Sequence, residues 1–394
     1  MTRHANVRRL THWLVWLCAA ALVACAQPRI VRPETILAEY EKGGYRPAER
    51  LETAEFHDVW IDPASERRIG VKAIAPAKAG TYPILAYIPG LGETTDDGAL
   101  WTNAWARAGY FVLVVQPEEH DSRVWRTLAA RTGDFASLAR DHFSQPSLER
   151  RLADTTFALA HARALAREGD PFFRAADPER VAVAGFDLGA QTALGLAVRA
   201  SLEGAGLPKL RATIALSPYG SIARPGPDED FSAIRMPVLI ATATQDLDPY
   251  GILPSPSMRR APFQFLRGKD KFLLLLAQGG HDALAGNTPP PDVGEPRPGT
   301  YAARFGGTTE GGGPRSARTP AADDASGTPG VESARPAFDS MRTTMRIQMR
   351  DVAFVQSIST AFLDVAVKND GVANEWFSKD ARRYLGEFAQ LQVR

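Results

Sequence analysis

The chain contains two kinds of apolar pattern, and they predict two kinds of strand. Beyond residue 53, "AEFHDVW" and "RIGVKAIA" alternate apolar and polar positions on either side of "DPASERR", which predicts an antiparallel hairpin. Six later runs are apolar almost throughout: "YPILAYIPG", "YFVLVVQP", "RVAVAGFD", "RATIALSP", "PVLIATATQD" and "KFLLLLAQGGH". Continuous runs of this kind are typical of parallel strands that are covered on both faces.

Helical patterns lie between several of these runs, at residues 98–108, 147–167 and 188–202. Strands that alternate with helices predict an α/β fold, with a mostly parallel, doubly wound sheet and helices on both faces. Two more amphipathic patterns, near 341–367 and 374–390, predict helices that cover one face of this sheet.

Composition divides the chain into segments. Between residues 286 and 338 about a third of the residues are Gly or Pro and few are apolar, which predicts a disordered insertion. The insertion separates residues 51–285 from 339–394, and we expect these two parts to form one domain. Residues 26–50 are predominantly polar and are predicted to be a tether.

The first 25 residues have the organisation of a signal peptide. Three arginines precede the apolar run Leu10–Ala24, which is short for a membrane span, so an exported protein of the bacterial cell envelope is predicted. The run ends in "LVAC", which resembles a lipobox and implies that a lipid on Cys25 anchors the protein to a membrane. Ala24–Ala26 also fits ordinary cleavage after small residues, so simple secretion stays open.

Charge, cysteine content and missing motifs limit the kinds of partner, covalent bond and cofactor that the sequence predicts. With 46 basic and 45 acidic residues the net charge is +1, which does not favour nucleic acid as a partner. Cys18 and Cys25 are the only cysteines, so the mature domain forms no disulfide. The sequence contains no G-x-G-x-x-G, P-loop or H-E-x-x-H motif, and we expect neither a nucleotide cofactor nor a metal.

Three chemically versatile residues follow three of the apolar runs. Asp187 follows "VAVAGF", Asp246 follows "VLIATATQ", and His281 follows "FLLLLAQGG". In an open α/β sheet the carboxyl ends of the strands hold the functional groups, so these side chains are predicted to lie together. Asp248 is an alternative to Asp246 as the acid, although Asp246 fits the turn better.

The order nucleophile, acid, histidine is that of the α/β-hydrolase fold, and "GFDLG" at residues 185–189 matches its elbow G-x-S-x-G except at the centre. Glycines on either side of the nucleophile allow the strand and the helix to approach closely. An oxyanion hole would use the backbone N–H of Leu188 and one from the loop "PGLGE", which we assign to Leu91.

From about residue 54 onward the chain resembles the bacterial relatives of platelet-activating-factor acetylhydrolase and dienelactone hydrolase. The resemblance rests on "DPASERR", "YPILAYIPGLGE", "RAGYFVLVVQPEEHDS", the elbow, "PVLIATATQD", "KFLLLLAQGGH" and "STAFLDVAVKND". It implies an α/β-hydrolase fold and hydrolysis of a carboxylic ester in a small, apolar or lipid-like substrate. Asp246 and His281 fall at the acid and histidine of that family, whereas Asp187 replaces its serine or cysteine.

The aspartate changes the chemistry that can be expected. Attack on an ester would require expulsion of an alkoxide about eleven pK units more basic than the carboxylate, on the order of 15 kcal/mol uphill. Attack on an sp3 carbon of an epoxide or haloalkane instead yields a stable alkyl ester that water can hydrolyse, as in Asp-dependent hydrolases of the same fold. Those enzymes usually have tryptophan where Leu188 stands.

A non-catalytic binding protein is the third possibility. Two carboxylates beside His281 favour the charged form of an imidazole, which is not a general base.

Overall fold

The computed structural model describes residues 32–202, 208–219, 231–288 and 335–394, with only the backbone described for 335–342. The predictions for the signal peptide and for Cys25, and most of the predicted insertion at 286–338, lie outside these residues.

A single sheet of nine strands runs through the described chain, in the order β1-β2-β4-β3-β5-β6-β7-β8-β9. The strands are β1 (Thr53–Ile61), β2 (Arg68–Pro76), β3 (Tyr82–Ile88), β4 (Phe111–Pro117), β5 (Ala176–Phe186), β6 (Leu210–Leu216), β7 (Val238–Gln245), β8 (Lys271–Gly280) and β9 (Ala389–Val393). The six continuous apolar runs form β3 to β8, which pair in parallel. β1 and β2 form the predicted antiparallel hairpin, and β2 pairs antiparallel with β4.

The helices pack on both faces of this sheet. They are α1 (Pro33–Glu41), α2 (Ala99–Arg107), α3 (Leu128–Arg131), α4 (Phe135–His142), α5 (Gln145–Glu168), α6 (Leu188–Ser201), α7 (Ala261–Phe265), α8 (His281–Ala285), α9 (Arg335–Lys368), α10 (Gly371–Lys379) and α11 (Ala381–Leu385). One apolar core joins the sheet to α1, α2, α8, α9 and α11, and another joins it to α5, α6 and α7. The α/β fold with a mostly parallel sheet is therefore confirmed.

Two segments differ from their predictions. Part of the predicted tether forms α1, because Ile36 supplies an apolar side chain that is buried in the core shared with α9. The single helix predicted near 374–390 is divided at Asp380 into α10 and α11. α11 ends at Leu385, because Gly386 adopts a positive φ of 57°. The chain then forms β9, which pairs antiparallel with β8.

None of the helices within the described parts of the chain is long and apolar enough to cross a bilayer.

Candidate active site

Asp187 occupies a sharp turn between β5 and α6. Its backbone has φ 54° and ψ −114°, a conformation that residues other than glycine seldom adopt. A Cβ atom at Gly185 would lie 2.1 Å from the carbonyl oxygen of Gly189, and one at Gly189 would lie 1.9 Å from that of Ile88. The expected steric role of the two glycines is confirmed, since a side chain at Gly185 would force β5 and α6 apart and one at Gly189 would force α6 away from the end of β3.

The structure brings Asp246 and His281 to the same edge of the sheet as Asp187. Asp246 follows β7, and His281 is the first residue of α8, directly after β8. His281 Nδ1 lies 2.7 Å from Asp246 Oδ1, and His281 Nε2 lies 3.8 Å from Asp187 Oδ1. All three side chains are buried, with exposed fractions of 1% for Asp187, 0% for Asp246 and 6% for His281. The imidazole therefore lies between the two carboxylates.

Asp248, the alternative acid, has a different role. Its carboxylate accepts hydrogen bonds from the backbone N–H groups of Tyr250, Ile252 and Leu253 and from the hydroxyl of Tyr219. These bonds organise the turn after β7. The bond from His281 Nδ1 goes to Asp246.

Asp246 is surrounded by donors, and one of them is a buried cation. Arg259 is fully buried, and its Nε lies 3.0 Å from Asp246 Oδ1. Thr242 donates to Asp246 Oδ2 and Ser217 donates to Oδ1, each at 2.8 Å. Burial alone would raise the pKa of Asp246, but the positive charge of Arg259 and the contacts of His281 outweigh it and hold this pKa below its usual value. Asp246 is therefore a permanent negative charge at neutral pH.

Arg259 and Ser217 were not anticipated from the sequence. The guanidinium also donates to the backbone carbonyl of Ser217 at 2.9 Å and lies over the ring of Tyr219, 4.4 Å from its centroid. Ser217 follows β6, which lies between the strands that carry Asp187 and Asp246. Its position directly after a strand could have identified it as a candidate site residue from the sequence. Arg259 lies thirteen positions beyond Asp246 in a short 3-10 helix, and no motif distinguishes it from the neighbouring Arg260.

The carboxylate of Asp187 lies where the oxyanion hole was expected. The backbone N–H of Leu91 donates to Asp187 Oδ2 at 3.2 Å, and the N–H of Leu188 also hydrogen-bonds this carboxylate. Tyr250 adds a hydroxyl that donates to Oδ2 at 3.3 Å. Asp187 Oδ1 has no hydrogen-bond partner among the described residues. The two oxygens therefore differ, because donors hold Oδ2 while Oδ1 faces His281.

Burial dominates the protonation of Asp187. It raises the pKa of this carboxyl, and the charges of His281 and Arg259 and the two backbone N–H groups offset that rise only in part. The surroundings are apolar, since a cluster of buried side chains packs beside the elbow: Leu91, Val124, Ala139, Phe143, Leu188, Tyr219, Tyr250 and Leu253. The ring of Phe186 lies 4.8 Å from that of His281. In such surroundings electrostatic interactions act with little screening by water.

A further carboxyl group, that of Glu93, holds the loop that carries Leu91. Glu93 Oε2 accepts the backbone N–H of Gly90 at 2.7 Å, and Oε1 accepts Nδ2 of Asn287 at 3.0 Å. The amide of Gln116 donates to the carbonyls of Gly90 and Glu93, which fastens the same loop from the other side. Burial raises the pKa of Glu93 well above its usual value. This network positions the Leu91 N–H, and the sequence provided no signal for it.

Within the described ranges no group of three or more His, Cys, Asp and Glu side chains is arranged to hold a metal ion.

A scan against models of known protein families gives no match, and no curated protein matches the chain.

Proposed function

We propose that the chain is a hydrolase of the α/β-hydrolase fold in which Asp187 is a covalent nucleophile toward an electrophilic sp3 carbon, as in an epoxide or a haloalkane. The strand order, the elbow after β5, and the acid and histidine after β7 and β8 support the fold family. The two unequal oxygens of Asp187 support the reaction class.

The position of the Asp187 carboxylate is the observation that carries the proposal. Oδ1 has no hydrogen-bond partner among the described residues and is the oxygen that would attack a carbon atom, while Oδ2 already accepts from the N–H of Leu91 and the hydroxyl of Tyr250. The N–H of Leu188 also hydrogen-bonds the carboxylate. When Oδ1 forms a bond to carbon, a haloalkane loses its halide as the carbon–halogen bond breaks, whereas an epoxide opens at a ring C–O bond and its oxygen takes a proton from water. In both cases Oδ2 becomes the carbonyl oxygen of the new alkyl ester. The carboxylate thus enters the reaction already oriented, and no donor has to move.

The second step needs a water molecule and a base. A water between His281 Nε2 and Asp187 would transfer a proton to the imidazole and attack Cγ of the ester. The negative charge that develops on Oδ2 is stabilised by the same N–H groups. The tetrahedral intermediate then collapses, and the alcohol leaves with the proton from His281. The Asp187 carboxyl keeps the second proton of the attacking water and releases it to solvent, which restores the carboxylate. Asp246, fixed by Arg259, stabilises the imidazolium between these transfers.

The hydrolysis of a carboxylic ester, which the family resemblance implies, is less well supported. Direct attack on an ester by Asp187 requires a mixed anhydride and a leaving group much more basic than the carboxylate. The ester carbonyl would also have to displace Asp187 Oδ2 from the N–H groups that it needs. Both obstacles are absent for an sp3 carbon.

We further propose that the protein is exported and attached to a membrane by a lipid on Cys25. The order of charged, apolar and small residues in the leader supports this. Metabolic labelling with a radioactive fatty acid, compared between the native chain and Cys25→Ser, tests it. Equal labelling of the two proteins would refute lipid attachment at this residue.

The decisive experiment for the reaction follows the oxygen atoms of Asp187. The protein is given a panel of epoxides, haloalkanes and acyl esters in heavy-oxygen water, and the peptides are then analysed by mass spectrometry. We expect turnover of an epoxide or haloalkane and heavy oxygen in the Asp187 carboxylate, because water attacks Cγ. Asp246 and Asp248 are internal controls that stay unlabelled. Turnover without label in Asp187 would refute the covalent step, and no turnover of any substrate would support a binding protein.

A further inference from the structure

A concave region lies away from the elbow, between α1, α2 and α9. It is a cavity of about 630 Å³. Its lining comes from the three helices and from residues 42–50 and 288, and it includes no residue of the Asp187–Asp246–His281 group. Ligand sites of proteins commonly have volumes between about 300 and 1,000 Å³. The cavity is therefore large enough for a small organic molecule.

The charges around the cavity are strongly unequal. Four cationic side chains line it, namely Lys42, Arg46, Arg50 and Arg107, and Glu41 is the one acidic residue of the lining. Arg50 lies 4.0 Å from Glu41. Lys42 and Arg107 form no ion pair with any residue in the described ranges. The surplus of positive charge favours an anionic ligand.

The other side chains that line the cavity are apolar or polar without charge. Apolar side chains of α1, of the loop after α1, and of α2 with the residue that follows it also line the cavity, and together they are called its apolar wall: Leu37, Ala38, Pro47, Leu100, Ala104 and Ala108. Asn103 on α2 and Thr360 on α9 also line the cavity, and neither side chain has a hydrogen-bond partner among the described residues. Polar groups that converge with an apolar wall are typical of sites for molecules with a charged head and a short apolar part.

We propose that this cavity binds an organic phosphate, with the phosphate at Lys42 and Arg107 and an aliphatic portion along the apolar wall. A guanidinium matches the geometry of phosphate oxygens and can bind two of them at once. A phosphate monoester carries close to two negative charges at pH 7 and a phosphodiester carries one, and both are complementary to a site with three more cations than anions. The ligand is a soluble phosphate ester or the headgroup of a phospholipid.

The cavity lies close in sequence to the predicted lipid anchor, which favours the headgroup of a phospholipid as the source of the phosphate. Its first helix begins at Pro33, eight residues after Cys25. Eight residues span at most about 29 Å when fully extended. If Cys25 carries a lipid, the first residue of α1 stays within that distance of the membrane surface, and the far end of this nine-residue helix adds about 13.5 Å. The phosphate site itself does not require the anchor.

Calorimetric titration of hexyl phosphate into the full-length chain tests the site. Hexyl phosphate should bind saturably, and Arg107→Gln and Lys42→Gln should each weaken this binding at least about tenfold. Arg267→Gln, which changes an exposed arginine outside the cavity, is the matched control and should bind like the native chain. Equal affinities in all four proteins, or inorganic phosphate binding as tightly as hexyl phosphate, would overturn the proposal. Unchanged thermal unfolding of Lys42→Gln, whose side chain is exposed, excludes misfolding as a cause.

Vesicles identify the source of the phosphate. The Cys25→Ser chain is mixed with vesicles of phosphatidylglycerol or phosphatidylcholine, so that no acyl anchor contributes. A lipid source predicts preference for phosphatidylglycerol that is lost in Arg107→Gln. If the ligand is a soluble phosphate ester, Arg107→Gln should weaken the binding of hexyl phosphate and leave the binding to vesicles unchanged. Vesicle binding that depends on Arg107 without any binding of hexyl phosphate would contradict a cavity site and indicate a charged surface.

Discussion

The ends of β5 and β7 each place a buried aspartate beside the same histidine, yet the two surroundings oppose each other. At the end of β7, Asp246 is held by the guanidinium of Arg259 and by two hydroxyl groups, and its pKa is lowered. At the end of β5, one oxygen of Asp187 accepts from the N–H of Leu91 and the hydroxyl of Tyr250, the other has no hydrogen-bond partner among the described residues, and the pKa is raised.

The different surroundings of Asp187 and Asp246 indicate which of the two carboxylates is the better nucleophile. Burial acts on both groups in the same direction, so the difference comes from the charge placed next to each one. A carboxylate neutralised by a buried arginine is stable as an anion and is a poor nucleophile. A desolvated carboxylate with one unpartnered oxygen is less stable as an anion and more reactive. Environments that separate two neighbouring carboxylates in this way commonly separate their catalytic roles.

Asp187→Asn should abolish turnover, because it removes the carboxylate that we propose as the nucleophile. An amide has no anionic oxygen, so turnover of the epoxide or haloalkane should fall by a factor of about 10⁴ or more, measured as steady-state kcat/KM. Asp248→Asn is the control, because Asp248 organises the neighbouring turn without contacting His281. If both variants lose activity to the same extent, the effect comes from the turn and not from the nucleophile.

His281→Gln should separate the two chemical steps. The first displacement needs no base, whereas hydrolysis of the ester does, so turnover should fall about 10³- to 10⁴-fold while the alkyl-enzyme accumulates. Intact-protein mass spectrometry should show one added alkyl group per chain, and the double variant Asp187→Asn/His281→Gln should show none. A His281→Gln protein that stays unmodified while losing activity would contradict the covalent step.

Arg259→Met should destabilise the folded protein, because it removes the cation beside Asp246. It leaves Asp246 buried without its cation, which costs about 3–5 kcal/mol of the free energy of unfolding. Urea unfolding measures this loss, and the exposed control Arg267→Met should change the free energy by less than about 0.5 kcal/mol.

The double variant Asp246→Asn/Arg259→Met tests the pairing itself. It removes both charges and should recover part of the stability lost in Arg259→Met. Losses that simply add would show that the two side chains do not depend on each other.

The dependence of stability on pH should have opposite signs for the two aspartates. Asp187 binds its proton more tightly in the folded chain than in the unfolded one, because its folded pKa is raised above the usual 3.8. Its contribution is therefore favourable at low pH and is lost as the pH rises from 3.8 through the raised value. Asp246, with a lowered pKa, contributes stability above its usual 3.8 that is lost as the pH falls.

Urea unfolding at a series of pH values checks these signs. The stability of Asp187→Asn relative to the native chain should increase with pH, and that of Asp246→Asn should decrease. Two variants with the same trend would contradict the comparison. Activity should decline on the acid side, as Asp187 takes up its proton.

Several elements were predictable because neighbouring residues determine them. The apolar runs that became β3 to β8 are long and continuous, and the glycines around Asp187 report a local steric need. Asp246 and His281 were found because each directly follows a strand. The end of the second C-terminal helix was misjudged, because Ala389–Val393 becomes a strand only when it reaches the open edge of β8.

The sequence by itself determined the α/β layering, the elbow and the identity of the three residues around it, since periodicity and turn geometry act over short stretches of chain. The tertiary structure decided that the Asp187 carboxylate occupies the hole formed by Leu91 and Leu188, and that Arg259 neutralises Asp246. These relations join residues far apart in the chain, and electrostatics depends on distance in space and on burial. The difference between two identical side chains therefore existed only after folding.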